Sequence, residues 1–292
     1  MTSIVIAYHN EGQDFIDECV RQVKETCDLK QYEIIVVDDG SDKAISLSDA
    51  LVVRNETKQG VGGAFDIGIS HASGSVIIMM GCDIRFDTNT WASGMERMAR
   101  QHPKSLNCCT CLTLRRNDMS FESARRKPRG YGADILRNHK GTILAAQWAR
   151  KHVETDSTIP CLMGACYSFM KGWYNYIDGF ALYRDKGMLE AYLSLKSWAF
   201  GGECRIDNSI EVGHIFRDYD EHGRKVSNEI YNKLVIDYLL FDGKLKDEMA
   251  ESASLTEARK VFDENIDKIN EAKKKYKRKI KVKSEDLIKT LI

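Results

Sequence analysis

The sequence predicts an α/β fold: a mixed, mainly parallel sheet flanked by helices and followed by a helical C-terminal extension. Three observations carry that expectation. Apolar runs rich in β-branched residues, such as "SIVIAY" and "EIIVV", are continuous rather than alternating, as in strands buried on both faces. They alternate with helix-period patterns, which implies strand, helix, strand units with right-handed crossovers. Polar residues gather where the runs end, and ligands sit beyond those ends in open α/β sheets.

Taken in order, "SIVIAY" (Ser3 to Tyr8) is the first strand, and Phe15, Ile16, Cys19, Val20 and Val23 give the following helix one apolar face. "YEIIVVDDGSD" is a second strand ending in a polar turn, "ALVVRN" a third and "SVIIMMGCD" a fourth. Their ends carry His9, Asn10 and Glu11, then Asp38 and Asp39, then Asp83. A helix is expected over Trp91 to Arg100 and a strand over "SLNCCTCLTL". Residues 115–140, rich in Arg, Lys, Gly and Asn, read as an exposed loop. "ACYSFMKGWYNYIDGF" resumes with a strand and a short helix, and "MLEAYLSLKSWAFGG" is a helix stopped by Gly201 and Gly202. Composition then shifts, dividing a domain at 1–222 from an extension at 223–292. In the extension Leu255, Phe262, Ile266, Ile269, Tyr276 and Ile280 mark an amphipathic helix, whose apolar stripe could join two copies as a homodimer.

A chain of 292 residues with 43% hydrophobic content can bury a full core. Its 43 basic and 43 acidic residues cancel, so any polyanion must be met by local patches rather than by a global field. No apolar window approaches the ~20 residues that span a bilayer, and a strand pattern begins at once. A cytoplasmic protein without a membrane partner is therefore expected. "CCTC" at Cys108 to Cys111 lacks paired CxxC spacing, so the nine cysteines read as buried thiols.

Gly60, Gly62 and Gly63 follow a strand and open a helix, like a dinucleotide fingerprint. Phe65 stands where the third small residue belongs, which argues against a redox cofactor. What remains is a simple turn, or a backbone that lets a nucleotide approach with Lys58 as a phosphate partner.

The ordered set "SIVIAYHNEG", "EIIVVDDGSD", "SVIIMMGCDIRF", "GACYSFMKGWYNYIDGF" and "VGHIFR" resembles the GT-A nucleotide-sugar glycosyltransferases, family 2-like, and within them the polypeptide N-acetylgalactosaminyltransferase branch. The resemblance covers roughly Thr2 to Arg217 and implies the GT-A fold and a UDP-sugar donor. It implies that Ala7, His9, Asp38 and Asp39 hold the uridine, that Gly164 lets the donor approach the backbone, and that Arg217 faces the diphosphate. The metal motif falls on Asp83, with His214 completing the shell around manganese or magnesium. Arg85 departs from that motif; it cannot ligate a cation but could neutralise a pyrophosphate. Glu190 matches the second carboxylate of the inverting family 2 pair, a general base, while Leu189 lacks the first.

The anomeric outcome and the acceptor stay open. Basic residues in the loop (Arg115, Arg116, Arg125, Arg126, Lys127, Arg129) and in the tail (Lys273 to Lys283) read either as a solvated charged helix with a loop that clamps the donor pyrophosphate, or as a surface that tracks DNA, with a virus-encoded transferase acting on hydroxymethylated pyrimidines as the precedent. The cell would then be microbial or virus-infected. The alternatives are protein Ser/Thr or polysaccharide hydroxyls, or a protein that binds a nucleotide sugar without catalysis.

Overall fold

The computed structural model describes residues 1–116, 120–124, 128–216 and 225–292. The N-terminal half runs β1 (Thr2–Tyr8), α1 (Gln13–Thr26), β2 (Tyr32–Asp38), β3 (Leu51–Arg54), α2 (Gly60–His71), β4 (Val76–Gly81), β5 (Ile84–Arg85), α3 (Trp91–Gln101) and β6 (Ser105–Leu114). There follow α4 (Phe121–Ala124), β7 (Ala133–His139), β8 (Thr142–Trp148), β9 (Ser157–Thr158), β10 (Cys166–Met170), α5 (Lys171–Tyr176), α6 (Leu189–Ala199) and β11 (Glu203–Ile215). The C-terminal helices are α7 (Val226–Phe241), α8 (Ala253–Glu264), α9 (Ile266–Lys277) and α10 (Ser284–Leu291).

The main sheet has the order β3-β2-β1-β4-β10-β6-β11-β5. β1, β2, β3 and β4 are mutually parallel, β10 runs antiparallel to its neighbours, and β11 is parallel to β6. Alternation within β1 explains its continuous apolar sequence. Ile4 and Ile6 pack towards α1 and α3, whereas Val5 faces α2 on the other side of the sheet. Strand order reverses at β1, which pairs with β2 on one side and β4 on the other, so a crevice opens beyond their carboxyl ends.

Two expectations need correction. Residues 115–140 are not simply a loop: β7 and β8 form a hairpin that buries Ala133, Ile135, Ile143 and Leu144. Its turn, Lys140 and Gly141, has positive φ at both residues (52° and 74°), the geometry of a two-residue hairpin turn. The extension is several helices, and α7 places Tyr231, Leu234, Val235, Ile236 and Phe241 in the same core as the sheet. Leu255, Ile269 and Tyr276 are buried there too, so the stripe expected to join two copies is covered within the chain by its own helices. No helix among the described residues is long and apolar enough to cross a membrane.

The basic tail is likewise engaged locally. Lys273 pairs with Asp242 at 2.9 Å and Lys275 with Asp178 at 2.5 Å. The backbone N–H groups of Lys281 and Val282 donate to Ala199 O at the C-terminal end of α6.

Candidate active site

A cavity of about 720 Å³ lies beyond the carboxyl ends of β1 and β4. That size suits a drug- or nucleotide-sized ligand. Ala7, His9, Asp39, Lys58, Asp83, Gly164, Glu190 and His214 all line it, so residues far apart in sequence share one site.

The pairing of β5 with β11 explains how Asp83 meets His214. Ile84 lies opposite His214 in an antiparallel ladder, and the Ile215 N–H donates to Asp83 O at 2.9 Å. These backbone bonds place His214 Nε2 3.2 Å from Asp83 Oδ2. Two residues before Asp83, Gly81 also lines the pocket; a Cβ there would lie 2.5 Å from Asp83 Oδ1. Glycine therefore leaves the carboxylate its place.

This donor set suits a divalent cation. A carboxylate oxygen and an imidazole nitrogen, Asp83 Oδ2 and His214 Nε2, converge at the cavity wall. Among the described residues no group of three or more His, Cys, Asp or Glu side chains forms a metal cluster. A cation here would thus take two protein ligands and complete its shell from phosphate oxygens and water, as magnesium and manganese sites at phosphates do.

Glu190 opens α6 and faces the same cavity. Its Oε1 accepts a 2.8 Å hydrogen bond from the Tyr167 hydroxyl. Burial pushes its carboxyl above the ordinary range, against the lowering effect of that hydrogen bond. It is not the solvated helix residue that a glutamate on an amphipathic helix usually is.

The other expected residues divide. His9 is fixed by a 2.8 Å contact of Nδ1 with Asp39 O, and Asn10 beside it has a positive φ of 64°. Asp39 reaches the cavity, but its carboxylate also accepts from the Gln59 and Gly60 N–H groups at 2.8 Å each and from Asn55 Nδ2 at 2.7 Å. It therefore caps the start of α2 as well as lining the site. Asp38 does not line the cavity. It is fully buried, paired with Arg54 and accepting from the Ser41 N–H at 3.1 Å.

Arg85 also stands apart, because Nη1 donates to Cys82 O (2.9 Å) and Ile84 O (2.8 Å) and the guanidinium lies 4.6 Å over the Phe15 ring. It braces the turn that carries Asp83 from behind and cannot face a pyrophosphate from there. Lys58 lies 3.6 Å from Asp185, a carboxylate partner the sequence did not suggest. Gly164 has φ +136°, so its backbone conformation calls for glycine although a Cβ there would meet nothing closer than Cys109 O at 3.5 Å. Arg217, together with Arg125, Arg126 and Lys127, lies outside the described residues.

The glycine turn has a different purpose from nucleotide approach. Gly60 has φ +82°, and a Cβ there would lie 2.2 Å from the Cα of Asp185. Val61 N–H donates to Asp185 O at 3.0 Å, and a Cβ on Gly62 would meet the Tyr183 ring at 2.5 Å. These glycines let the segment between α5 and α6 lie on α2, which brings Asp185, Lys186 and Gly187 to the cavity wall. The segment carries positive φ at Asp178, Leu182, Asp185 and Met188, none a glycine. Lys196, fully buried, holds it from below by donating to Gly179 O and Asp178 O, and desolvation lowers its amine to about 7.

Gly60→Ala should therefore lower the thermal midpoint by several degrees and weaken nucleotide binding together, at a cost of roughly 2 kcal/mol or more. Gly172→Ala, where a Cβ would meet nothing within 4 Å, should leave both unchanged or raise stability slightly. Thermal unfolding of the two variants with and without UDP checks this.

Tyr167, Phe216, Arg116 and Lys186 are cavity residues that the sequence did not single out for the donor site. Phe216 packs its ring 4.0 Å from that of His214. A signal for it was available, since it follows His214 within "GHIFR".

Comparison with known proteins agrees with the expected family. Residues 3–174 match the model of glycosyl transferase family 2. The chain is 25% identical over 240 residues to a probable N-acetylgalactosaminyltransferase 7 of Caenorhabditis elegans, covering 74% of this chain and 39% of that protein. It is 26% identical over 242 residues to polypeptide N-acetylgalactosaminyltransferase 4 of Mus musculus, with the same 74% and 39% coverage. The chain thus spans about two fifths of the length of these curated relatives. Among solved structures, GalNAc-T7 with UDP, GalNAc and Mn2+ is similar with a TM-score of 0.67 at 16% identity, over 85% of this chain and 50% of that one. The mannosyltransferase PcManGT from Pyrobaculum calidifontis, in complex with GDP-Man and Mn2+, is similar with a TM-score of 0.53 at 13% identity, over 91% and 74%. These likenesses show the shared GT-A fold.

Proposed function

This chain belongs to glycosyl transferase family 2, and on that premise we propose that it moves a hexose or N-acetylhexosamine from a UDP-sugar to a hydroxyl, with a divalent cation, manganese before magnesium. The observation that carries the reading is the convergence of Asp83, His214 and Glu190 on one cavity at the strand ends. GalNAc-T7, solved with UDP, GalNAc and Mn2+, supports the choice of donor and metal, and PcManGT, solved with GDP-Man and Mn2+, supports the metal.

Asp83 and His214 would hold the cation, which when bound neutralises charge gathering on the departing nucleoside diphosphate. The residues around them divide the remaining work. Ala7 and His9, at the end of β1, with Asp39, at the end of β2, form the wall that receives the nucleoside, and Gly164 keeps the backbone open beside the sugar. Glu190 takes the proton from the attacking hydroxyl, and Tyr167 orients its carboxylate through Oε1. With Glu190 as base in a single displacement the anomeric carbon would be inverted, whereas retention would need no such base.

For the acceptor we propose a hydroxymethylated pyrimidine in DNA, supported by Arg116 on the cavity wall and exposed Arg115 beside it. The tail does not add to that support, since it packs at the end of α6 opposite Glu190. A microbial or virus-infected cytoplasm is the proposed setting, in keeping with nine free cysteines, eight of them buried. UDP release from a panel of UDP-sugars with manganese, in the presence of hydroxymethylated DNA, a Ser/Thr peptide or no acceptor, tests the reading. Stimulation by the DNA alone is expected; stimulation by the peptide alone would replace the acceptor.

A further inference from the structure

The open end of the β7–β8 hairpin carries a cluster that donor binding does not use. The guanidinium of Arg129 lies 4.0 Å over the Phe216 ring and 5.6 Å from the Trp148 ring. Its Nε is buried without a hydrogen-bond partner. Arg150 Nη1 donates to the backbone carbonyl of Arg129 at 2.6 Å, which holds a second guanidinium at the same end of the hairpin. Lys151 and His152 follow, both exposed, and the His152 ring meets Tyr131 edge-on at 5.0 Å.

Backbone pairing makes this arrangement rigid. Tyr131 N–H donates to Ala149 O at 2.9 Å and Ala149 N–H to Gly132 O at 3.0 Å. Glycine at 130 makes room for the indole, since a Cβ there would lie 2.9 Å from the Trp148 ring. Arg150 and Lys151 are exposed at this end of the hairpin, and Arg129 is half-buried. A polyanion brought to these cations gains Coulomb attraction and releases its own counterions. Rings set between the cations add faces on which bases can stack.

Phe216 joins this surface to the cavity, because it lines the cavity wall and also lies under Arg129. We propose that the hairpin end binds the phosphate backbone of a nucleic acid acceptor. Arg129 and Arg150 take phosphates, Trp148 and Tyr131 stack against neighbouring bases, and the strand leads its target nucleotide past Phe216. The inference rests on the nucleic acid reading of the acceptor. It adds where that acceptor lies and which residues hold it. An acidic peptide would satisfy the charges but would leave the interleaved rings without a partner.

The test uses the full chain and a short fluorescent single-stranded oligonucleotide containing 5-hydroxymethylcytosine, with binding followed by anisotropy across a salt series. Arg129→Gln and Arg150→Gln should each make the plot of log affinity against log salt shallower by about 0.7. Each should raise the KM for the oligonucleotide, while UDP release without acceptor stays at the wild-type rate. Arg150 is exposed, so its variant keeps the test independent of folding at Arg129. Arg129→Lys should restore the slope but not the full affinity, because an ammonium lacks the planar fork. Unchanged slopes in both Gln variants, or equal binding of polyglutamate by the wild type, would overturn the surface. Donor hydrolysis by the wild type in the same preparation shows whether the transferase reading stands regardless.

Discussion

Asp83→Ala is expected to lower UDP release in the presence of donor and acceptor by about a thousandfold, the scale on which several kcal/mol of charge stabilisation at a diphosphate is lost. The fold should survive, because Asp83 joins β11 through its backbone oxygen, which accepts from the Ile215 N–H and is kept by alanine. His214→Ala should produce a loss of the same order, since His214 Nε2 lies 3.2 Å from the same carboxylate. The double variant should be little worse than either single one if the two act as a unit. Steady-state rates and far-ultraviolet circular dichroism on the three proteins check both parts. A thousandfold loss with an altered spectrum would mean that Asp83 serves the fold instead.

The second large effect concerns Glu190. Glu190→Gln keeps an acceptor for the Tyr167 hydroxyl but removes the base, and kcat should fall by about 10²–10⁴. The pH profile carries the more specific signature. A general base works as the carboxylate, and burial raises the folded pKa of Glu190. The rate should therefore drop as pH falls through a value above the ordinary glutamate pKa of about 4.3. Tyr167→Phe removes a hydrogen bond that lowers that pKa, so the acid limb should move to higher pH without disappearing. In Glu190→Gln the limb should be absent. A variant that keeps near wild-type kcat would show that the hydroxyl is deprotonated without Glu190 and that the inverting chemistry is wrong.

Much of the fold was legible because buried parallel strands leave unbroken apolar runs and their ends leave polar residues. The first four strands, α1 and α3 appear where those signals place them. The hairpin of β7 and β8 escaped because polar residues dilute its apolar positions to Ala133, Ile135, Ile143 and Leu144, and the consecutive buried pair Ile143 and Leu144, the latter at φ 51°, breaks the alternation. β11 was hidden by the polar stretch Asp207 to Ser209, where its pairing with β6 is interrupted between Asp207 and Glu211. The C-terminal helices look like an appendage by charge, yet Ile269 and Tyr276 are fully buried in the common core.

In the site, what the motif order implied and what the geometry assembles coincide at Asp83, His214 and Glu190, which depend on strand and helix ends. They part at residues whose side chains choose between two faces. Asp38 and Asp39 are adjacent acids in one turn, and only three-dimensional pairing with Arg54 turns the first inward while the second reaches the cavity. Arg85 follows Asp83 by two residues, but the carbonyls of Cys82 and Ile84 capture its guanidinium. Gly60 signalled a close approach correctly in kind; the approaching group is the backbone of Asp185, which no local pattern announces.

The account rests on Asp83 and His214 holding one cation beside the donor diphosphate. Titrating Mn2+ into the protein with UDP present, and following free Mn2+ by electron paramagnetic resonance, tests that directly and independently of turnover. The wild type should bind the ion tightly, and Asp83→Ala and His214→Ala should each weaken binding at least tenfold. Undiminished Mn2+ binding in both variants would contradict the account.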